Sequence, residues 1–395
     1  MDVSRGWHDA LARLVADDRL AQGDEFPAVV AGAAAPLGVD VRLYAVDQQQ
    51  RTLRPVLWDG AHLPVDTTAA GRAYMHVQAV PVPGPRLWMP LLDGVERLGV
   101  LEIVARDPAV DLDDPAFRAG CDLFSQLTGH LYAVKVPYGD TLKQARRTRG
   151  MSEAAELLWR LLPPLTFASK RVVIAAILEP CYEVGGDGFD YAVDGDTAFF
   201  AVFDSVGHTL RSGLGTTTVL AAVRAARAAG AGLPDLARAA DEALVRHLPE
   251  MGFTTAVLGT LDLATGRLRY LNAGHPAPMI LRNGAVVGRL DRGRRLPLGL
   301  TDEQAEPAEE RLEPGDRLLL FTDGVTDSRA AGGELFGEDR LAGLVRQHTA
   351  AGLPAPETLR RLCHATLDHY DGPPADDATM LYLEWSPEAA DRVTP

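Results

Sequence analysis

Apolar positions recur at helical spacing over residues 7–20 and again over 25–37, as the buried face of a helix requires. The period then shortens. VRLYAVD (41–47) and TLRPVLWD (52–59) flank a polar turn and predict a strand pair. A short helical piece is predicted at 69–74. The run RLWMPLLDGVERLGVLEIVA then sets two apolar stretches on either side of Asp93-Gly94, a strong hairpin signal. Pro115 is placed to open a helix through Phe117, Phe124, Leu127 and Leu131.

Between about 136 and 165 the pattern breaks. Pro137, Gly139 and the basic run at 143–149 carry no apolar period. MSEAAELLWRLLPP then offers a cap at Ser152, helical spacing through Leu157, Leu158, Leu161 and Leu162, and a stop at Pro163-Pro164. Such a stripe suits either a helix packed on its own domain or a signalling helix that pairs with a second copy in a homodimer. From Phe167 to Trp385 long apolar runs dominate. Strands are predicted at 171–178, 197–203, 254–263, 267–273, 277–282, 285–290, 317–322 and 379–385, and helices at 208–229, 234–247, 338–349 and 356–370. Asn283-Gly284 predicts a tight hairpin turn. Many antiparallel strands with a few long helices predict an α+β fold of packed sheets flanked by helices.

Length supports more than one core: 395 residues suggest two domains and a connector. We expect domains at 1–135 and 166–387, a helical connector at 136–165 and a tail at 388–395. A formal net charge of -15 disfavours nucleic acid and anionic membranes as partners. The first residues lack a basic start followed by an apolar run, and no window approaches about 18 uninterrupted apolar residues. The three cysteines, Cys121, Cys181 and Cys363, are far apart and in no CxxC pair, which suggests neither a disulfide framework nor a zinc cage. A cytoplasmic location is expected.

The chemistry lies in where aspartates sit relative to the strands. One apolar run ends at Asp204 and another at Asp323; Asp376 and Asp377 immediately precede a third, and Asp187 lies in a glycine-rich turn after a fourth. Carboxylates at the ends of buried strands can converge on one point, where uncompensated they repel one another. Hard divalent cations resolve this, since magnesium and manganese prefer oxygen ligands. Two such ions can share and acidify a water and hold a phosphoryl group. Each piece alone has a plainer reading: Asp323-Gly324 as a turn, Gly185-Gly186 as a source of positive φ, Asp376-Asp377 as a solvated loop.

Together and in this order, these stretches resemble the PPM-type protein phosphatases, in the SpoIIE/RsbU-like branch. The matching segments are EVGGDGFD at 183–190, FDSVGH at 203–208, LNAGHP at 271–276, LPLGL at 296–300, FTDGVT at 321–326 and DDAT at 376–379. The resemblance implies a β-sandwich flanked by helices and two manganese or magnesium ions. It implies Asp187 and Asp204 as metal ligands, with carbonyls of Gly188 or Ser205 assisting, and Asp323 and Asp376 around the second ion. Asp377 and Asp190 are further candidates. It also implies direct attack of a metal-bound hydroxide on a phosphoserine or phosphothreonine, carried by a STAS-domain anti-sigma-factor antagonist. Thr209 stands where relatives often carry glycine. His208 suits either a proton donor or a loop-structuring role, and His275 a structural one.

The N-terminal third resembles a GAF domain, chiefly through residues 87–104. This implies a sensor for a small-molecule or protein signal, although no cysteine lies between Val41 and Gly120 for a covalent chromophore. Its histidines there, His62 and His76, read as surface residues. Two rival readings stand beside the phosphatase: a phosphatase fold that only docks a regulatory protein, and a diguanylate cyclase. The latter rests on Gly185-Gly186-Asp187-Gly188-Phe189, similar to a GGDEF signature, and leaves Asp323 and Asp376 unexplained.

Overall fold

A computed structural model describes residues 3–179, 182–183, 185–207, 209–250, 252–302, 305–330, 332–370, 376–387 and 393. Cys181 and His208 lie outside them. The chain divides into two units, Met1–Gly150 with Val393–Pro395, and Met151–Arg392. The boundary falls inside the stretch read as a connector.

The first unit contains, in order, α1 (Val3–Asp18), α2 (Phe26–Ala34), β1 (Val39–Val46), β2 (Thr52–Pro55), β3 (Leu63–Pro64), α3 (Ala69–His76), β4 (Val80–Val82), β5 (Arg86–Asp93), β6 (Glu96–Ala105), α4 (Pro115–Lys135) and α5 (Thr141–Ala145). Its strands form one antiparallel sheet in the order β3-β2-β1-β6-β5-β4. Side chains alternate across it. Val41 and Leu43 of β1 face a core shared with Leu14, Phe26 and Phe124 of the long helices. Tyr44 and Val46 face a second core with Trp88 and the α3 residue Tyr74. The Asp114 side chain accepts from the Phe117 amide at 3.0 Å and caps α4, which opens at Pro115.

The second unit contains α6 (Glu153–Leu161), β7 (Thr166–Ala168), β8 (Val172–Glu179), β9 (Asp187–Asp194), β10 (Thr197–Ser205), α7 (Leu210–Ala228), α8 (Leu233–His247), β11 (Thr254–Asp262), β12 (Arg267–Ala273), β13 (Met279–Arg282), β14 (Ala285–Arg289), β15 (Arg294–Arg295), β16 (Ala308–Arg311), β17 (Arg317–Phe321), α9 (Asp323–Thr326), α10 (Gly337–Ala350), α11 (Ala355–Leu367) and β18 (Ala378–Trp385). One sheet runs β14-β13-β17-β18-β8-β7; the other runs β15-β12-β11-β10-β9, with β16 beside β12. The two sheets face each other across an apolar core. Val172, Ile174, Leu320 and Leu381 of the first meet Phe189, Phe200, Val202 and Leu261 of the second. The alternate residues Phe199, Ala201 and Phe203 of β10 pack outward under α7 and α8. Helix α11 lies on β8 and β18. The result is the α-β-β-α sandwich expected of the fold class. Among the described residues no helix is long and apolar enough to cross a membrane.

Helix α6 packs on this unit. The Ser152 hydroxyl accepts from the Ala155 amide at 3.1 Å, and Ala155 and Leu158 are buried against Leu178 of β8. Of the two uses open to the Leu stripe, this structure shows the packing on its own domain. Strand β9 was not among the predicted strands. Its sequence, DGFDYAVD, carries acids at 187, 190 and 194, which breaks the apolar run that marks its neighbours.

Candidate metal centre

Antiparallel pairing of β9 with β10 sets Asp187 opposite Asp204, so the two side chains share one face at one end of the sheet. The facing sheet brings its acids to the same end. Strand β17 runs through Thr322 into α9, whose first residue is Asp323, and Asp376 and Asp377 lead into β18. Phe321 pairs with Met380, which holds the two acid-bearing ends side by side. Two glycines permit this closeness. A Cβ on Gly324 would overlap the Asp377 carbonyl oxygen, and one on Gly186 the carbonyl oxygens of Ser205 and Gly207.

Asp187 is buried, and its Oδ2 accepts the Thr322 hydroxyl at 2.7 Å. Thr322 Oγ1 in turn accepts the Thr379 amide at 2.9 Å, tying β18 to the same point. Asp377 is also buried, and its Oδ2 accepts from the amides of Gly185 and Gly186, both at 2.8 Å, and of Asp187 at 3.3 Å. Asp204 is half-buried and Asp323 and Asp376 are exposed, so the end of the sandwich opens to solvent.

The electrostatics are those of crowded like charges. Burial, then the charges of Asp204 and Asp377, hold Asp187 well above the usual carboxylate range. Asp204 is pushed up to about 7, by burial first and then by Asp323, Asp376 and Asp377. Asp323, though exposed at the rim, has a partly desolvated carboxyl that is raised by this and then by Asp376, and Asp377 is raised by burial, against the pull of its three amides. Among the described residues no Lys or Arg forms an ion pair with any of these acids.

Asp190 is placed elsewhere. Its carboxylate lies under α7, bonded to Arg224 at 2.6 and 3.0 Å and to Arg227 at 2.7 Å. Ser205 is buried with its hydroxyl 2.8 Å from those of Thr216 and Thr254, and Thr216 donates to the Gly186 carbonyl. His275 is buried and burial lowers it to about 4, so its ring is neutral. Its Nδ1 lies 2.8 Å from the Thr255 hydroxyl, which also reaches Asp204 Oδ2 at 3.5 Å. Sequence reasoning missed the supporting threonines Thr216, Thr254, Thr255 and Thr322. Only Thr322 carried a signal, as the residue between a buried strand and an acid.

An all-oxygen set without thiolate suits a hard divalent cation. Among the described residues no group of three or more His, Cys, Asp or Glu side chains is placed to hold one ion. One or two carboxylates per ion, completed by carbonyls and water, is the arrangement magnesium commonly takes. The donor chemistry and the uncompensated charge both fit such ions.

Residues 194–386 match the family model described as Stage II sporulation protein E (SpoIIE). This stretch, a little under half of the chain, is similar to the SpoIIE family. Similar proteins include protein IcfG of Synechocystis sp., 31% identical over 131 residues, which are 33% of this chain and 20% of that protein. Another is the phosphoserine phosphatase RsbU of Bacillus subtilis, 23% identical over 272 residues, 66% of this chain and 80% of that one. The chain thus spans about a fifth of the first relative and most of the second. Among solved structures, the SiaA-PP2C domain of Pseudomonas aeruginosa superposes with a TM-score of 0.51 at 24% identity, covering 64% of this chain and 99% of that one. That likeness is one of fold: the second unit has the architecture of that PP2C domain.

Proposed function

We propose that the unit Met151–Arg392 is a protein serine/threonine phosphatase working with two manganese or magnesium ions. The observation that carries this reading is the cluster of acids, drawn from both sheets, that no basic side chain among the described residues neutralises. Asp187, Asp204, Asp323 and Asp376 would hold the ions, with the carbonyls of Gly188 and Ser205. When bound, such ions would acidify a water and draw charge from the phosphoryl oxygens. The chain's own part is to fix the donors: Thr322 anchors Asp187, and Thr255 reaches Asp204. An open rim with two exposed acids suits a phosphorylated side chain on another protein better than a small enclosed ligand. Water attacks phosphorus, the bond to the serine or threonine oxygen breaks, and that oxygen takes up a proton, with no phospho-enzyme in between.

The name of the Bacillus relative, a phosphoserine phosphatase, supports the substrate class. The family resemblance supports a STAS-domain anti-sigma-factor antagonist as the phosphoprotein. The first unit, GAF-like in its order of elements, would set the activity in response to a small-molecule or protein signal, through the segment leading into α6. The test is turnover of the full chain on an aryl phosphate with manganese and with a chelator, then on a phosphorylated STAS protein. Turnover that needs manganese supports the reading. Tight binding of the phosphoprotein with no turnover on either substrate would favour a docking module.

A further inference from the structure

Asp376 and Asp377 are neighbours in sequence with opposite surroundings. Asp376 is exposed, and its Oδ1 accepts the amide of Asp377 at 2.9 Å. Asp377 is 4% exposed, and one oxygen, Oδ2, collects the three successive amides of Gly185, Gly186 and Asp187. Successive amides converging on one point form a concave anion-binding nest. Here the chain supplies the anion, from a segment 190 residues further on. The third donor is the amide of Asp187 itself, so the carboxylate that fixes the loop also fixes where β9 and its first acid begin. The main chain of Asp377 lies against the other acid pair: its carbonyl oxygen occupies the space a Cβ on Gly324 would need, beside Asp323. One residue therefore joins the acid-bearing ends of both sheets, by its side chain to Asp187 and by its carbonyl to Asp323-Gly324.

We infer that Asp377 is a positioning residue that clamps the 185–187 loop and thereby aims Asp187 and Gly188, and that it is not itself an ion ligand. This takes Asp377, a further ligand candidate under the family resemblance, out of the ligand set, and it rests on the metal-centre reading. An asparagine can still present a carbonyl oxygen to the three amides; an alanine cannot. A ligand, by contrast, does not survive the change to the neutral amide well.

The experiment is manganese titration by calorimetry on the full chain, without substrate, for wild type and for D376N, D377N and D377A, with circular dichroism to verify folding. D377A is expected to weaken manganese binding 10- to 100-fold, the range for loss of a partner that orients a ligand. D377N should recover most of that loss and stay within about tenfold of wild type, consistent with neutral hydrogen bonds being about half as strong as charge-assisted ones. D376N should weaken binding more than D377N. D377N as damaging as D376N, or D377A binding like wild type, would overturn the inference while leaving the metal centre standing. If D377A fails to fold, the contrast between D376N and D377N still decides. A wild type that binds no manganese would refute the metal centre and this inference with it.

Discussion

Asp190 and Asp204 lie on neighbouring strands of one sheet, and the chain solves the cost of their charges in opposite ways. Asp190, 1% exposed, is held by two arginines of α7 at 2.6 to 3.0 Å. Asp204 has a threonine hydroxyl at 3.5 Å and otherwise faces other carboxylates, which with burial raise it to about 7. Asp316 and Asp241 follow the first pattern, paired with Arg282 and Arg295. An acid with its cation built in is architecture. An acid left uncompensated beside other such acids is a site that expects its cation from outside. The largest expected effect separates the two. Asp204→Asn should lower phosphatase turnover about 1000-fold, roughly 4 kcal/mol of barrier, with unfolding stability unchanged or raised. Near-wild-type turnover would remove Asp204 from the metal centre.

The converse applies to Asp190. Asp190→Ala would leave Arg224 and Arg227 facing a buried hole beneath α7. Loss of one partner of a buried pair costs about 3 to 5 kcal/mol, and the lower end applies here because the arginines are partly exposed, at 32% and 25%. Denaturant unfolding reads this directly. Manganese affinity of the folded protein should change little, and a large loss of it would mean that Asp190 belongs to the site after all.

Much of the fold and of the site was legible in the sequence. The sandwich strands are buried on both faces, so they appear as continuous apolar runs, and four of the strand-end acids stood out against them. Strand β9 did not, because Asp187 and Asp190 serve partners outside it, one the site and one α7, and their charges break its pattern. The difference between Asp190 and Asp204 was not legible either. It depends on Arg224 and Arg227, more than thirty positions away, arriving over one acid and not the other. Likewise nothing local separates Asp376 from Asp377; only the fold brings residues 185–187 to one of them.

Binding of a divalent cation should itself stabilise the protein. At one hundred times its dissociation constant, manganese should add about 2.7 kcal/mol to unfolding stability, and a chelator should remove it. Without metal, Asp204 gives a pH signature of definite sign. Its folded-state value of about 7 lies above the ordinary 3.8, so between these values the folded state binds more protons. Stability is therefore lost as pH rises from about 4 to 7, by at most about 1.4 kcal/mol per pH unit. His275 acts the other way: its value of about 4 lies below the ordinary 6.5, so its contribution is lost as pH falls through that window. Subtracting the Asp204→Asn profile from that of the wild type gives the slope due to Asp204 together with its pull on the acids it crowds. A difference that is flat, or that rises with pH, would mean that Asp204 is not crowded by the other acids.

The smallest effect concerns what little support Asp204 has. The Thr255 hydroxyl carries one hydrogen and lies between Asp204 Oδ2 at 3.5 Å and His275 Nδ1 at 2.8 Å. If that hydrogen goes to an ionised Asp204, the neutral ring of His275 must present its own hydrogen on Nδ1 to Thr255 Oγ1. Thr255→Val keeps the shape, removes the hydroxyl, and strands a buried imidazole N–H, at a cost of about 1 to 3 kcal/mol in stability. It also frees Asp204 to turn, so turnover should fall about tenfold, the lower end for loss of an orienting partner and far less than Asp204→Asn. Thr255→Ser keeps the hydroxyl and should restore both. Unfolding curves and turnover for the two variants settle the matter: if valine behaves like the wild type and serine does not, packing of the threonine methyl, and not its hydroxyl, is what this position supplies to Asp204.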